Sequence, residues 1–174
     1  MNSADIIGVL LEKGGLIDTL ANFAVVVYAI IVAYYIFTSA ANAKMLRYLG
    51  YRYSWLAWVP YLRYYALAKA TEDKSDTEIY ERWTIPNEVY ELWWIVMLMA
   101  GILDSGLTFY IPATLGTILD FIVMGVFLGG TYANIYRNVF MMNKEKANAW
   151  GAWSGILPVI AAVRFLFYKG IADK

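Results

Sequence analysis

Between about Leu20 and Ala41 the chain carries no charged residue, and its centre reads Phe23-Ala24-Val25-Val26-Val27-Tyr28-Ala29-Ile30-Ile31-Val32-Ala33-Tyr34-Tyr35-Ile36-Phe37. At ~1.5 Å rise per residue, such a run is long enough to cross a hydrocarbon layer of ~30 Å. Composition points the same way. With 61% hydrophobic and 16% charged residues in 174, the chain has more apolar surface than a soluble domain of this size can bury.

Three further apolar runs fit spans, which predicts an all-α integral membrane protein with four transmembrane helices at about 20–41, 88–111, 114–137 and 149–168. Ahead of them, Ile6, Ile7, Leu10 and Leu11 stand at helical spacing before Glu12-Lys13 and the Gly14-Gly15 pair. That pattern predicts a short N-terminal amphipathic helix on the membrane surface, ended by the glycines. No positive leader or small-residue cleavage site is visible, so the N-terminus is expected to be retained.

Residues 53–71 are apolar but interrupted by Pro60 and Arg63. Charge counting decides their topology. If they remain on the cytoplasmic side, the inner loops hold ten basic residues (Lys44, Arg47, Arg52, Arg63, Lys69, Lys74, Arg82, Arg137, Lys144, Lys146) against Lys13, Lys169 and Lys174 outside. If they span, the positive-inside rule is violated. A re-entrant or interfacial helix follows, with both termini extracytoplasmic. The tryptophans then lie at the cytoplasmic headgroup level, and Trp55, Trp58, Pro60, Arg63, Trp150 and Trp153 become candidates for interfacial or partner contacts. Residues 72–87 form the polar cytoplasmic loop, where Ser75-x-x-Glu78 matches a capping box and predicts a short helix. Pro86, Glu88 and Glu91 mark the start of the next span.

Absences narrow the chemistry. The chain has no cysteine and no histidine, which removes disulfides, thiolate and histidine metal sites, haem ligation by histidine and the Ser-His-Asp triad. Neither an enzyme nor a cofactor is expected. A zero formal charge, without a polar-spaced basic cluster, gives no reason to expect nucleic acid.

Ionisable groups inside spans are costly and mark structure or function. Asp104 and Asp120 each stand eight residues from Pro112, in the corner Ile111-Pro112-Ala113, so a helical hairpin there puts both at similar depth. With Arg164 near the outer end of the fourth span, and Ser105, Thr108 and Thr117 as polar partners, two readings follow. One is an Asp-Arg-Asp clasp that locks helices together. The other is a cation or proton site serving a small channel or carrier. Small-residue spacings at Gly125-x-x-x-Gly129, Gly151-x-x-x-Gly155 and Ala29-x-x-x-Ala33 suit close helix packing, within one bundle or in an oligomer.

Trp55-Leu56-Ala57-Trp58, Pro60, Arg63 and Lys69 are echoed by Trp150-Gly151-Ala152-Trp153, Pro158, Arg164 and Lys169, though at different spacings. On Trp55, Ala57, Pro60, Tyr61, Tyr65 and Lys69, the chain resembles a family of small, uncharacterised bacterial membrane proteins with a Gly-Trp-Ala-Ala-Leu-Ile-Pro-Phe-Tyr-Asn type segment. Ser54 takes the place of the glycine and Arg63 that of the asparagine, and the likeness in element order covers roughly residues 43–174. The resemblance implies a bacterial inner-membrane protein and supplies no catalytic residue. The expectation is a non-enzymatic membrane component, in contact with lipid, that assembles with itself or with a membrane-protein partner.

Overall fold

The computed structural model describes residues 3–72, 76–96, 98, 99, 118 and 121–170, with backbone alone at 3–14, 16 and 17. The described residues are mostly helical, with one small hairpin. Two compact units divide the chain, Met1–Ile36 and Phe37–Lys174.

The first element, α1, runs Ser3–Tyr48 as 46 helical residues. It passes through Gly14 and Gly15 without a break, which corrects the short, glycine-terminated N-terminal helix expected from sequence. Each glycine costs a helix only about 1 kcal/mol relative to alanine, so two cannot stop one that is well propagated on both sides. Thr19 donates its hydroxyl to the Gly15 carbonyl at 2.8 Å. Within α1, Asp18–Tyr48 is long and apolar enough to cross a membrane, with a mean hydropathy of 2.2 and none of its most apolar window buried.

In the second unit, a 3-10 turn at Ser54–Trp58 precedes α2, Leu62–Thr71. The interruption expected of Pro60 in residues 53–71 is therefore real, and Tyr61 turns the corner at φ 64°.

The short helix expected after Ser75 is instead a hairpin of β1, Asp76–Ile79, and β2, Trp83–Pro86, antiparallel with Ile79 opposite Trp83. The physical reason lies in its residues. Thr77 and Ile79 alternate with exposed neighbours and are both buried, and β-branched side chains at period two favour a half-buried strand. Tyr80 and Glu81 adopt left-handed backbone, at φ 54° and 52°, in a turn closed by the Arg82 amide on the Ile79 carbonyl at 3.1 Å. This is the twist that tight hairpins need and that a helix excludes.

A short α3, Asn87–Glu91, follows Pro86. The corner Ile111-Pro112-Ala113, and with it Asp104, Ser105, Thr108, Thr117 and Asp120, lies outside the described residues. Beyond it, a π-helical turn at Met124–Leu128 leads into α4, Gly129–Asn138. The next helix, α5, Lys144–Ile156, is capped by the Asn143 carboxamide, which accepts from the Lys146 amide at 3.1 Å.

The run expected as a straight span at 149–168 breaks at Leu157. Helix α5 and the final helix α6, Pro158–Phe167, meet at a bend of 117°. Pro158 has no amide hydrogen to continue the ladder, and it suits the first turn of a new helix instead. The described residues thus hold one helix of spanning length, or two spans if the bent pair is counted as one broken span.

The core of the second unit lies where α4, α5 and α6 meet α2 and the hairpin. Its largest buried side chains include Trp93, Tyr90, Tyr132, Tyr136, Phe165, Leu67 and Ile79. Tyr132 and Phe165 pack edge to face at 5.6 Å between centroids, and Trp93 stacks on Phe127 at 6.1 Å, geometries that aromatic quadrupoles favour.

Candidate functional site

Glycine decides how closely α4 and α5 approach. A Cβ placed on Gly155 would stand 2.7 Å from the Gly129 Cα, and one on Gly151 would stand 2.5 Å from the Gly129 carbonyl oxygen. Gly125 differs from its partners in the small-residue pattern, because nothing lies within 4 Å of such an added atom. Its role is polar: the Gly125 carbonyl accepts the Tyr80 hydroxyl.

Tyr80 and Glu81 anchor the hairpin tip on α4 and α5. The Glu81 carboxylate accepts from Arg137 and pairs with Lys144 at 2.5 Å. Arg137 also donates to the Asn134 carboxamide oxygen at 3.0 Å, while Asn134 and Asn148 donate to the Glu78 and Tyr80 carbonyls, each at 3.2 Å. The Lys144 ammonium, foremost, and the Arg137 guanidinium hold the Glu81 carboxyl below its usual value. Burial pushes the Tyr80 phenol up to about 12. Left-handed backbone at two non-glycine residues costs about 1–3 kcal/mol each, and these anchoring contacts offset it.

A second charged group joins Lys69 to Glu72 at 2.9 Å and to Glu91 at 2.5 Å. Burial raises the Glu72 carboxyl above its usual value; Lys69 opposes the rise and the Glu91 carboxylate adds to it. In the interior, Tyr90 and Thr131 share a hydrogen bond of 2.6 Å, and Tyr136 and Ser154 one of 2.8 Å. Lys44 of α1 donates to the Leu166 and Tyr168 carbonyls at 2.6 and 2.8 Å, satisfying the C-terminal end of α6.

Arg164 is not where a straight fourth span would put it. The bend at Leu157 folds α6 back, and the guanidinium lies 3.8 Å from the Trp150 ring centroid and 5.3 Å from that of Tyr136. Its nearest polar contact is the Met142 sulfur at 3.9 Å. The clasp and the ion site expected of Asp104 and Asp120 involve partners outside the described residues. Among the described residues, no carboxylate forms an ion pair with Arg164.

Of the other sequence candidates, Arg63 lies over the Tyr64 ring at 4.9 Å and donates to the Tyr64 hydroxyl at 2.9 Å. Pro60 is exposed, and so are Trp55, Trp58, Trp150 and Trp153. The two echoing segments share a plan: a tryptophan pair, a break, then a ten-residue helix whose arginine covers an aromatic ring. They differ in where that arginine falls, at the start of α2 and in the last turn of α6.

Lys44, Tyr80, Glu81 and Tyr90 were not singled out by sequence reasoning. For Glu81 a signal existed, because residues 72–91 carry seven acids and the next loop on the same expected side is basic, with Arg137 and Lys144. No group of three or more His, Cys, Asp or Glu suited to a metal ion occurs among the described residues. Set against known protein families, curated proteins and solved structures, the chain finds no match.

Proposed function

We propose that the protein is a non-enzymatic component of a bacterial inner membrane, a multi-span helical protein that assembles with itself through α1. The observation that carries this reading is the Asp18–Tyr48 segment, none of whose most apolar window is buried. Phe23, Val25, Tyr28 and Ile30 are all more than 60% exposed along it. Apolar area of that extent demands lipid or another apolar surface. Ala29 and Ala33 lie one turn apart on α1, a spacing that lets a second backbone approach.

The proposed spans are residues 20–41, 88–111 and 114–137. The hydrogen bonds from Lys44 to the Leu166 and Tyr168 carbonyls favour the bent 149–168 segment as a re-entrant pair on the cytoplasmic side, beside residues 53–71, with the N-terminus outside. Because the chain has no cysteine, single Ala29→Cys and Ala33→Cys substitutions report assembly cleanly. In native membranes, oxidation is expected to give disulfide dimers from these two variants and not from Ile31→Cys. Release of the chain by alkaline carbonate would reject the membrane reading. Retention without cross-linking, together with single copies in lipid nanodiscs, would reject self-assembly.

A further inference from the structure

Trp150 and Arg164 each lie seven residues from Leu157, and the 117° bend there folds the two arms together. A groove opens along this pair, lined by Ala149, Trp150, Trp153 and Ile160. Arg164 follows Ile160 by one helical turn, and Lys146 precedes Trp150 by one, so each cation continues the groove-lining face of its helix. Arg164 is half-buried over the Trp150 ring, and Lys146 is exposed. Neither forms an ion pair with a carboxylate among the described residues. The groove therefore combines an apolar floor with two cations that pair with no carboxylate among the described residues.

We infer that this groove binds the headgroup of an anionic phospholipid. The phosphodiester lies between Lys146 and Arg164, and an acyl chain runs over Trp153 and Ile160. Charge complementarity selects this occupant, because a phosphate accepts the planar guanidinium in two hydrogen bonds and the ammonium as a point charge. Indole rings favour the same headgroup depth, and the arginine stem is long enough to pack on apolar surface while its head meets the phosphate. The site rests on the membrane reading above and adds a lipid class to it.

The test is native mass spectrometry of the full chain released from nanodiscs made of equal parts phosphatidylglycerol and phosphatidylcholine. Wild-type protein is expected to retain phosphatidylglycerol preferentially. Arg164→Gln should abolish the preference and Lys146→Gln reduce it about five-fold, the effect of one basic residue near an anionic surface. Arg52→Gln, at an arginine covering the Tyr53 ring at 5.5 Å, should leave it intact. Equal retention of the two lipids by wild-type protein, or an unchanged preference in folded Arg164→Gln protein, would overturn the site. Should Arg164→Gln not fold, an unchanged preference in Lys146→Gln, a surface change, overturns it equally. Loss of the preference on adding millimolar inorganic phosphate would replace the lipid by free phosphate as the occupant. A chain that fails to enter nanodiscs defeats the membrane reading itself, whereas one that enters without lipid preference defeats only this site.

Discussion

Gly155 packs against Gly129 so closely that a methyl group on Gly155 would stand 2.7 Å from the Gly129 Cα. The α4–α5 contact is therefore a backbone-to-backbone contact, and no flexible side chain can yield to relieve it. Gly155→Ala should destabilise the protein by about 1–3 kcal/mol or more, the range for overpacking. Gly125→Ala, in open space, should change stability by less than about 1 kcal/mol. Thermal unfolding in detergent checks both, and equal losses would contradict the packing described.

Glu81 ties the hairpin tip to α4 and α5, and its folded-state carboxyl is held below the ordinary value of 4.5. A lowered carboxylate contributes stability that is present above the unfolded value and lost as pH falls through the folded one. Wild-type protein should therefore lose unfolding temperature as the medium is acidified from about pH 4.5. Glu81→Gln should be less stable at neutral pH and show a shallower acid slope. Parallel pH profiles for the two proteins would remove Glu81 from the lock.

Lys69 is the cation between Glu72 and Glu91. Its replacement by methionine leaves two carboxylates together, one with its Oε1 atom buried and unpaired among the described residues. The Glu72 carboxyl, already raised above 4.5 by burial, should rise further. A raised carboxyl favours folding while it is protonated and opposes folding once pH exceeds its folded value. The deficit of Lys69→Met relative to wild type should thus be largest at neutral pH and shrink on acidification. A deficit independent of pH would show that Lys69 acts by packing alone.

Lys44 supplies two hydrogen bonds to the carbonyls that end α6. Charged hydrogen bonds to otherwise orphaned carbonyls contribute about 1.5–3 kcal/mol. Lys44→Met should lower stability by about that amount and increase amide exchange at the end of α6. Exchange unchanged there would mean that solvent satisfies the carbonyls as well.

The apolar run of α1 was legible in the sequence because length and lack of charge are one-dimensional properties. Pro60 marks a real interruption for a similar reason, since proline acts on its own backbone, whereas Pro158 stands in a run that reads as one span and breaks only in the structure. The hairpin at Asp76–Pro86 is not legible in the sequence because a capping-box pattern is local, whereas burial of Ile79 against Gly130 depends on distant α4. The glycine spacing indicated close approach, but only tertiary packing separates Gly129, Gly151 and Gly155, which touch backbone or a neighbouring helix, from Gly125, which does not.

By itself, the sequence determined a mostly helical chain with at least one segment of membrane-crossing length, free of cysteine and histidine chemistry. Tertiary structure alone decided what each charge meets. Arg164 was expected at the far end of a straight span; a 117° turn at one proline brings it onto Trp150 instead. Its neighbours are set by a bend angle, and bend angles depend on what the two arms pack against, which no spacing along the chain encodes.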